Sequence, residues 1–194
     1  MRIIAGRHRS RKLFTLEGDL TRPSSDRLKE AMFSRLGGYF DGGIWLDLFA
    51  GCGAIGLEAL SRGVGQVIFC DHDAQAQRIV EKNIALLQEQ ERSELIKADY
   101  REAIRRCAQR HLLFDVIFLD PPYAMDIDTI ALEVLSANIL AQDGWLICEM
   151  ASSRVSSDRL ADCVKIKESK YGLGKTVWYK KEPNHDESHL SREV

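Results

Sequence analysis

No stretch of the 194-residue chain is apolar over the length that a membrane span requires, and the charged start at Arg2 is not followed by the apolar core of a secretion signal. Those absences lead to the expectation of a cytoplasmic protein with no membrane partner. C-x-x-C spacing is missing as well: the five cysteines, at positions 52, 70, 107, 148 and 163, are scattered and odd in number. This argues against a zinc site or a disulfide framework, and no metal is expected. Cys70 and Cys148 fall in apolar runs, as core residues do, and Cys52 has no evident histidine partner for nucleophilic work. Repeats and a second domain are absent. With 45% hydrophobic residues, the chain reads as one domain over residues 1–181, followed by a polar tail, 182–194, expected to be disordered.

A local absence says more. From Met1 to Leu16 there is no acidic residue, while Arg2, Arg7, Arg9, Arg11 and Lys12 crowd together with His8 in a chain of net charge -2. Such a segment suits contacts to the phosphates of a nucleic acid, and local clustering rather than total charge governs binding to a polyanion. Ile3-Ile4 and Leu13-Phe14 look like short strands on either side of it, so a merely solvated hairpin is the rival reading.

What the sequence does contain is a strand running into a glycine-rich turn. Ile44 to Phe49 is short and apolar, flanked by Gly42-Gly43 and Gly51, which reads as a buried parallel strand. Gly51, Gly53 and Gly56 then match G-x-G-x-x-G, where glycines allow a tight turn and close approach of a ligand to the backbone. Asp71, after the next apolar run Val67 to Cys70, is placed to take the hydroxyls of a ribose. Two cofactors fit so far: a dinucleotide, with its pyrophosphate in the turn, or S-adenosylmethionine. Asp47 favours the second, because a carboxylate before the turn repels pyrophosphate and attracts a cation.

The rest of the chain alternates. Leu28, Met32 and Leu36 give a helix capped by Ser24 or Ser25 and stopped by Gly37-Gly38, packed with the basic hairpin on the core as residues 1–40. A helix from Asp73 to Gln90, a strand Leu95 to Ala98 ending at Asp99-Tyr100, a helix Arg101 to Arg110 and a strand Phe114 to Leu119 follow. Next come a helix Ile127 to Leu135, a strand Trp145 to Met150, a short helix Ser157 to Leu160, and strands Val164 to Glu168 and Thr176 to Lys180. The last two have too little between them for a helical crossover, so they should pair antiparallel. The expected fold is α/β: a doubly wound, Rossmann-like sheet of seven strands, mostly parallel, with an antiparallel last strand. Asp47, Asp71, Asp99 and Asp120 then share one edge, where such sheets bind ligands.

Asp120-Pro-Pro-Tyr123 decides between the cofactors. An exocyclic amine on a base is a poor nucleophile, since its lone pair is delocalised into the ring. It must be aimed. The Asp120 carboxylate and the Pro121 carbonyl can accept its two hydrogens and turn the lone pair towards a sulfonium methyl, with Pro122 stiffening the turn and Tyr123 stacking on the base.

With these residues in view, the chain resembles a Class I S-adenosylmethionine-dependent methyltransferase, with DLFAGCGAIG as cofactor motif and DPPY as catalytic motif. More narrowly it resembles the RsmD family, which methylates N2 of a guanine in 16S ribosomal RNA. MRIIAGRHRSRKL, TRPSSDRLKEAMFSRL and YGLGKTVWYKK look like that family too. The resemblance implies that Asp47, Phe49, Gly51 and Gly53 shape the pocket for the methionine end, Asp71 holds the ribose, and Asp99 meets the adenine amine with Tyr100 beside it. It implies Asp120, Pro121, Pro122 and Tyr123 as the catalytic residues, and 16S rRNA in small-subunit particles as partner. Asp71 stands where related enzymes commonly carry glutamate, which shortens the reach to the ribose. A DNA adenine-N6 methyltransferase, a nicotinamide dehydrogenase and a non-catalytic rRNA-binding assembly factor are the rival functions; the second leaves DPPY and Asp47 unexplained, the third has no need of Asp120.

Overall fold

The computed structural model of the chain describes residues 1–16 and 23–182. Stretches rich in Val, Ile, Phe and Leu form the parallel part of its sheet: β1 (Ile44–Asp47), β2 (Gln66–Asp71), β3 (Ser93–Lys97), β4 (Phe114–Leu119) and β5 (Leu140–Ala151). They pair in the order β3-β2-β1-β4-β5. The crossovers are helical. α2 (Ala54–Ser61) and α3 (Ala74–Leu87) cover one face; α4 (Tyr100–Gln109) and α5 (Ile127–Ser136) cover the other. The winding therefore reverses between β1 and β4, and a crevice opens there at the carboxyl ends of the strands.

Beyond β5 the direction changes. β8 (Gly174–Lys181) lies antiparallel between β5 and β7 (Cys163–Tyr171), and β6 (Arg159–Leu160) closes that edge. The sheet thus has eight strands rather than the seven expected, in a mixed arrangement with three antiparallel pairings at its carboxyl-terminal side. The extra strand stands where a helix over 157–160 was expected. Leu160 is buried and pairs with Cys163 across a tight turn in which Ala161 has a φ of +49°, so the segment is half of a hairpin too short to form a helical turn. The antiparallel pairing of the last two strands is as the short connection requires.

α1 (Pro23–Arg35) already includes Ser24 and Ser25, the two expected caps; the helix begins on Pro23, whose fixed φ suits a first helical turn. Met32 and Phe33 are buried, and the helix ends at Arg35, just before Gly37 and Gly38 with φ of +108° and +80°. In the amino-terminal segment a single antiparallel bridge joins Arg2 to Lys12, and Ile3 and Leu13 are buried against Met32, Phe33 and the α2 face. Among the described residues no helix is long and apolar enough to cross a membrane. Of the tail, Glu182 is held: its amide donates to the Asp162 carbonyl at 2.9 Å and its carboxylate pairs with Arg159 at 2.6 Å. The remainder of the tail expected to be disordered lies outside the described residues.

Candidate active site

The glycine turn is built by its own backbone. Gly51 and Gly53 have φ of +55° and +77°, a region that costs other residues about 1 kcal/mol or more, and the Gly53 amide donates to the Ala50 carbonyl at 2.7 Å. Gly56 serves packing instead. A Cβ there would sit 2.3 Å from the Phe69 ring and 2.7 Å from Val67, so this glycine lets α2 lie against β2. Only the first two glycines of the motif face the crevice as a turn.

Two of the expected carboxylates hold this turn in place. Asp71 Oδ2 accepts the Gly51 amide at 2.9 Å, and its Oδ1 accepts the Asp73 amide at 2.9 Å. A carboxylate has about four lone-pair sites, which leaves acceptor capacity for a ribose. Asp47, the last residue of β1, is buried and accepts the Gly56 amide at 3.1 Å, tying the strand end to the first turn of α2. Burial pushes its carboxyl up to about 7, with the Gly56 amide opposing and the charges of Asp120 and Asp71 adding to the rise. A cationic group arriving beside it favours the ionised form, so the site is disposed towards cations.

Asp99 and Tyr100 open α4. Asp99 caps it, accepting the Arg101 amide at 2.9 Å, so part of its acceptor capacity is structural. Tyr100 is buried and its ring lies 5.6 Å from that of Phe49, forming one apolar wall of the crevice. Asp120 follows β4, exposed at the neighbouring strand end. Pro121 is buried, the Pro122 carbonyl accepts the Met125 amide at 2.8 Å, and Tyr123 is 71% exposed. The strand order β3-β2-β1-β4 therefore sets Asp99, Asp71, Asp47 and Asp120 in one row.

Two residues not singled out by the sequence join them. Glu149 lies near the end of β5, one step beyond the pairing of Leu119 with Cys148, which makes it the neighbour of Asp120. Burial, and then the charge of Asp120, hold its carboxyl above the ordinary carboxylate range. The rule that located the other acids, a carboxylate at a strand's carboxyl end, applies equally to Glu149. Asn83 of α3, fully buried, has no such signal. Its Nδ2 donates to the Cys52 carbonyl at 2.9 Å and the Phe14 carbonyl at 3.0 Å, while its Oδ1 accepts the Phe14 amide at 2.8 Å. One side chain thereby joins the glycine turn to the amino-terminal segment. All five cysteines, Cys52 included, are buried and outside any disulfide, which suits packing.

The basic segment is divided in two. Arg2 pairs with Asp26 at 3.0 Å, and Arg7 and His8 converge on the buried Glu89 at 2.8 and 2.5 Å. Among the described residues Arg9, Arg11 and Lys12 are exposed and form no ion pair. Those three are available for a polyanion; Arg2 and Arg7 also fasten the segment to the body.

A family model described as Conserved hypothetical protein 95 matches residues 1–180. The Bacillus subtilis protein named "Putative rRNA methyltransferase YlbH" is 36% identical over 182 residues, covering 93% of this chain and 99% of that one. "Ribosomal RNA small subunit methyltransferase D" of Haemophilus influenzae is 37% identical over 147 residues, covering 75% and 73%. Among solved structures, "Putative methyltransferase yhhF" from Escherichia coli superposes with a TM-score of 0.81 at 28% identity, covering 94% of this chain and 98% of that one.

Proposed function

The chain belongs to the Conserved hypothetical protein 95 family, the RsmD and YlbH group of S-adenosylmethionine-dependent methyltransferases, and from that premise we propose that it methylates the exocyclic N2 amine of a guanine in 16S ribosomal RNA of the small subunit. The observation that carries this reading is the adjacency of the Gly51 turn at the end of β1 to Asp120-Pro-Pro-Tyr123 at the end of β4. A methyl donor in the first is within reach of an amine held by the second.

The roles proposed are those the family resemblance implies, and the row of strand ends supports them. Asp47, Phe49, Gly51 and Gly53 line the place for the methionine end of the cofactor, whose ammonium is the cation that Asp47 favours. Asp71 takes the ribose hydroxyls, and Asp99 takes the adenine amine beside the Phe49 and Tyr100 wall. When bound, the cofactor supplies an activated methyl group on a sulfonium. Asp120 and the Pro121 carbonyl accept the hydrogens of the guanine amine, Pro122 stiffens the turn through its bond from Met125, and the exposed Tyr123 ring offers a stacking face. Guanine N2 takes part in base pairing, so the base must leave its stack before it reaches this site.

Asp71→Ala should weaken S-adenosylmethionine binding by about 1.5 to 3 kcal/mol, the scale of charge-assisted hydrogen bonds to the ribose. Calorimetry checks it; unchanged affinity removes Asp71 from the cofactor site.

RNA enters through the amino-terminal segment, where Arg2, Arg7, Arg9, Arg11 and Lys12 are the candidates. Neutralising Arg9, Arg11 and Lys12 together should weaken RNA binding, reduce its salt slope by roughly one per lost phosphate contact, and leave cofactor affinity alone. Filter binding across a salt series reads this, and an unchanged slope assigns the segment to structure. Parallel transfer assays on small-subunit particles and on duplex DNA test the function itself, since a DNA adenine methyltransferase gives the opposite preference.

A further inference from the structure

Large apolar side chains at the tips of hairpins contribute nothing to a core. β7 and β8 are joined by Gly172 and Leu173, between the paired Tyr171 and Gly174. Gly172 has a φ of +59°, which a two-residue hairpin turn with glycine in first place requires. Nothing in that turn asks for leucine in second place, yet Leu173 stands there 80% exposed. The tip is fixed in position: the Ser152 amide donates to the Leu173 carbonyl at 2.8 Å, and Ala151 pairs with Gly174.

The tip overlooks the catalytic edge. Ala151 lies two residues beyond Glu149, the neighbour of Asp120, so strand rise and spacing put Leu173 on the order of 13 Å from Asp120. Val155, 87% exposed, and Tyr123 stand on two further segments at this edge, and an Arg154 to Asp126 ion pair ties those segments together. Lys170, exposed in the strand one residue before the paired Tyr171, offers a cation beside the turn.

We infer that Leu173 is a positioning residue, an apolar wedge that fills the gap in the RNA stack when the target base swings into the site at Asp120 and Tyr123. The inference rests on the RNA methyltransferase reading above. Extracting a base bares the apolar faces of its neighbours and costs stacking. An aliphatic side chain on a rigid turn covers those faces with little ordering cost, because the turn is already fixed. A polar turn residue of ordinary kind does not.

The test compares two rRNA fragments, each long enough to reach the basic segment. One carries the target guanine stacked between its neighbours; the other carries abasic sites at both neighbours, so that no stack has to be refilled. Leu173→Ala should lose roughly tenfold to a hundredfold in kcat/KM on the first and stay within about twofold on the second. Leu173→Met should restore the first, and melting temperatures of both variants should match the unmodified protein. Equal losses on the two fragments, or no loss on either, overturn the wedge alone. If the unmodified protein methylates guanine N2 in neither fragment nor particle, the functional reading falls and the wedge with it.

Discussion

Asp120→Ala should bind S-adenosylmethionine almost normally while single-turnover methyl transfer slows by roughly two to three orders of magnitude, equivalent to about 3 to 4 kcal/mol of barrier. The reasoning is geometric. Asp71 and Asp47 hold the glycine turn through the amides of Gly51 and Gly56, and neither bond uses the Asp120 carboxylate. What is lost is the acceptor that aligns an amine whose lone pair is otherwise committed to the ring. Attack on a sulfonium needs no strong base; it needs alignment, and an acceptor for the proton shed afterwards. Removing Asp120 also lifts one of the charges that raise Asp47, which favours the ionised carboxylate, so this effect does not weaken cofactor binding. A transfer rate within a few-fold of normal would reduce DPPY to a turn.

The second large effect is on stability. Glu58 is fully buried in α2, and its carboxylate accepts from the Ile4 and Ala5 amides at 2.7 and 2.9 Å and from Arg62 Nε at 2.8 Å, with Lys29 Nζ at 3.4 Å. Lys29, itself buried, also donates to the Arg2 carbonyl. Burial holds the Lys29 ammonium below its usual range, with the charges of Glu58 and Asp26 opposing. Glu58→Ala takes the carboxylate from two buried cations, leaving Lys29 the Arg2 carbonyl and Arg62 the Gly38 carbonyl with Glu30 at 3.8 Å, and takes the acceptor from two amides. Its cost should be about 3 to 5 kcal/mol in chemical denaturation, the range for breaking a buried pair from one side. Glu58→Gln keeps an acceptor for one amide and should cost less. Hydrogen exchange at Ile4 and Ala5 should rise in both; unchanged exchange would mean that the amino-terminal segment is held by Ile3 and Leu13 alone.

The same residue marks the limit of what the sequence conveys. Within Ala-Ile-Gly-Leu-Glu-Ala-Leu-Ser, Glu58 looks like the polar face of a short helix. Its partners come from α1, the end of α2 and the amino-terminal segment, a convergence that no local pattern encodes. Asn83 is alike in this, and so in part is Glu89: its Arg92 partner is three residues on, but Arg7 reaches it from 82 residues away. By contrast, the unit from Ile44 to Gly56 was legible, because an apolar strand, a turn with positive φ and a packed helix each leave a local mark. Even there Gly56 reads as a cradle residue in sequence and is a packing residue in space. The row of aspartates followed from alternation alone, since a doubly wound sheet sends all parallel strands to one edge. β6 escaped because two residues of hairpin have no period to detect.

The most direct measurement is to incubate the purified protein and labelled S-adenosylmethionine with small-subunit particles that lack the modification, then to digest the 16S RNA and locate the label by mass spectrometry. The expected result is one methyl group on N2 of a single guanine, lost with Asp120→Ala and retained with Asp120 intact. Label on another atom or another RNA, or no label on RNA while the protein still binds its cofactor, would contradict it.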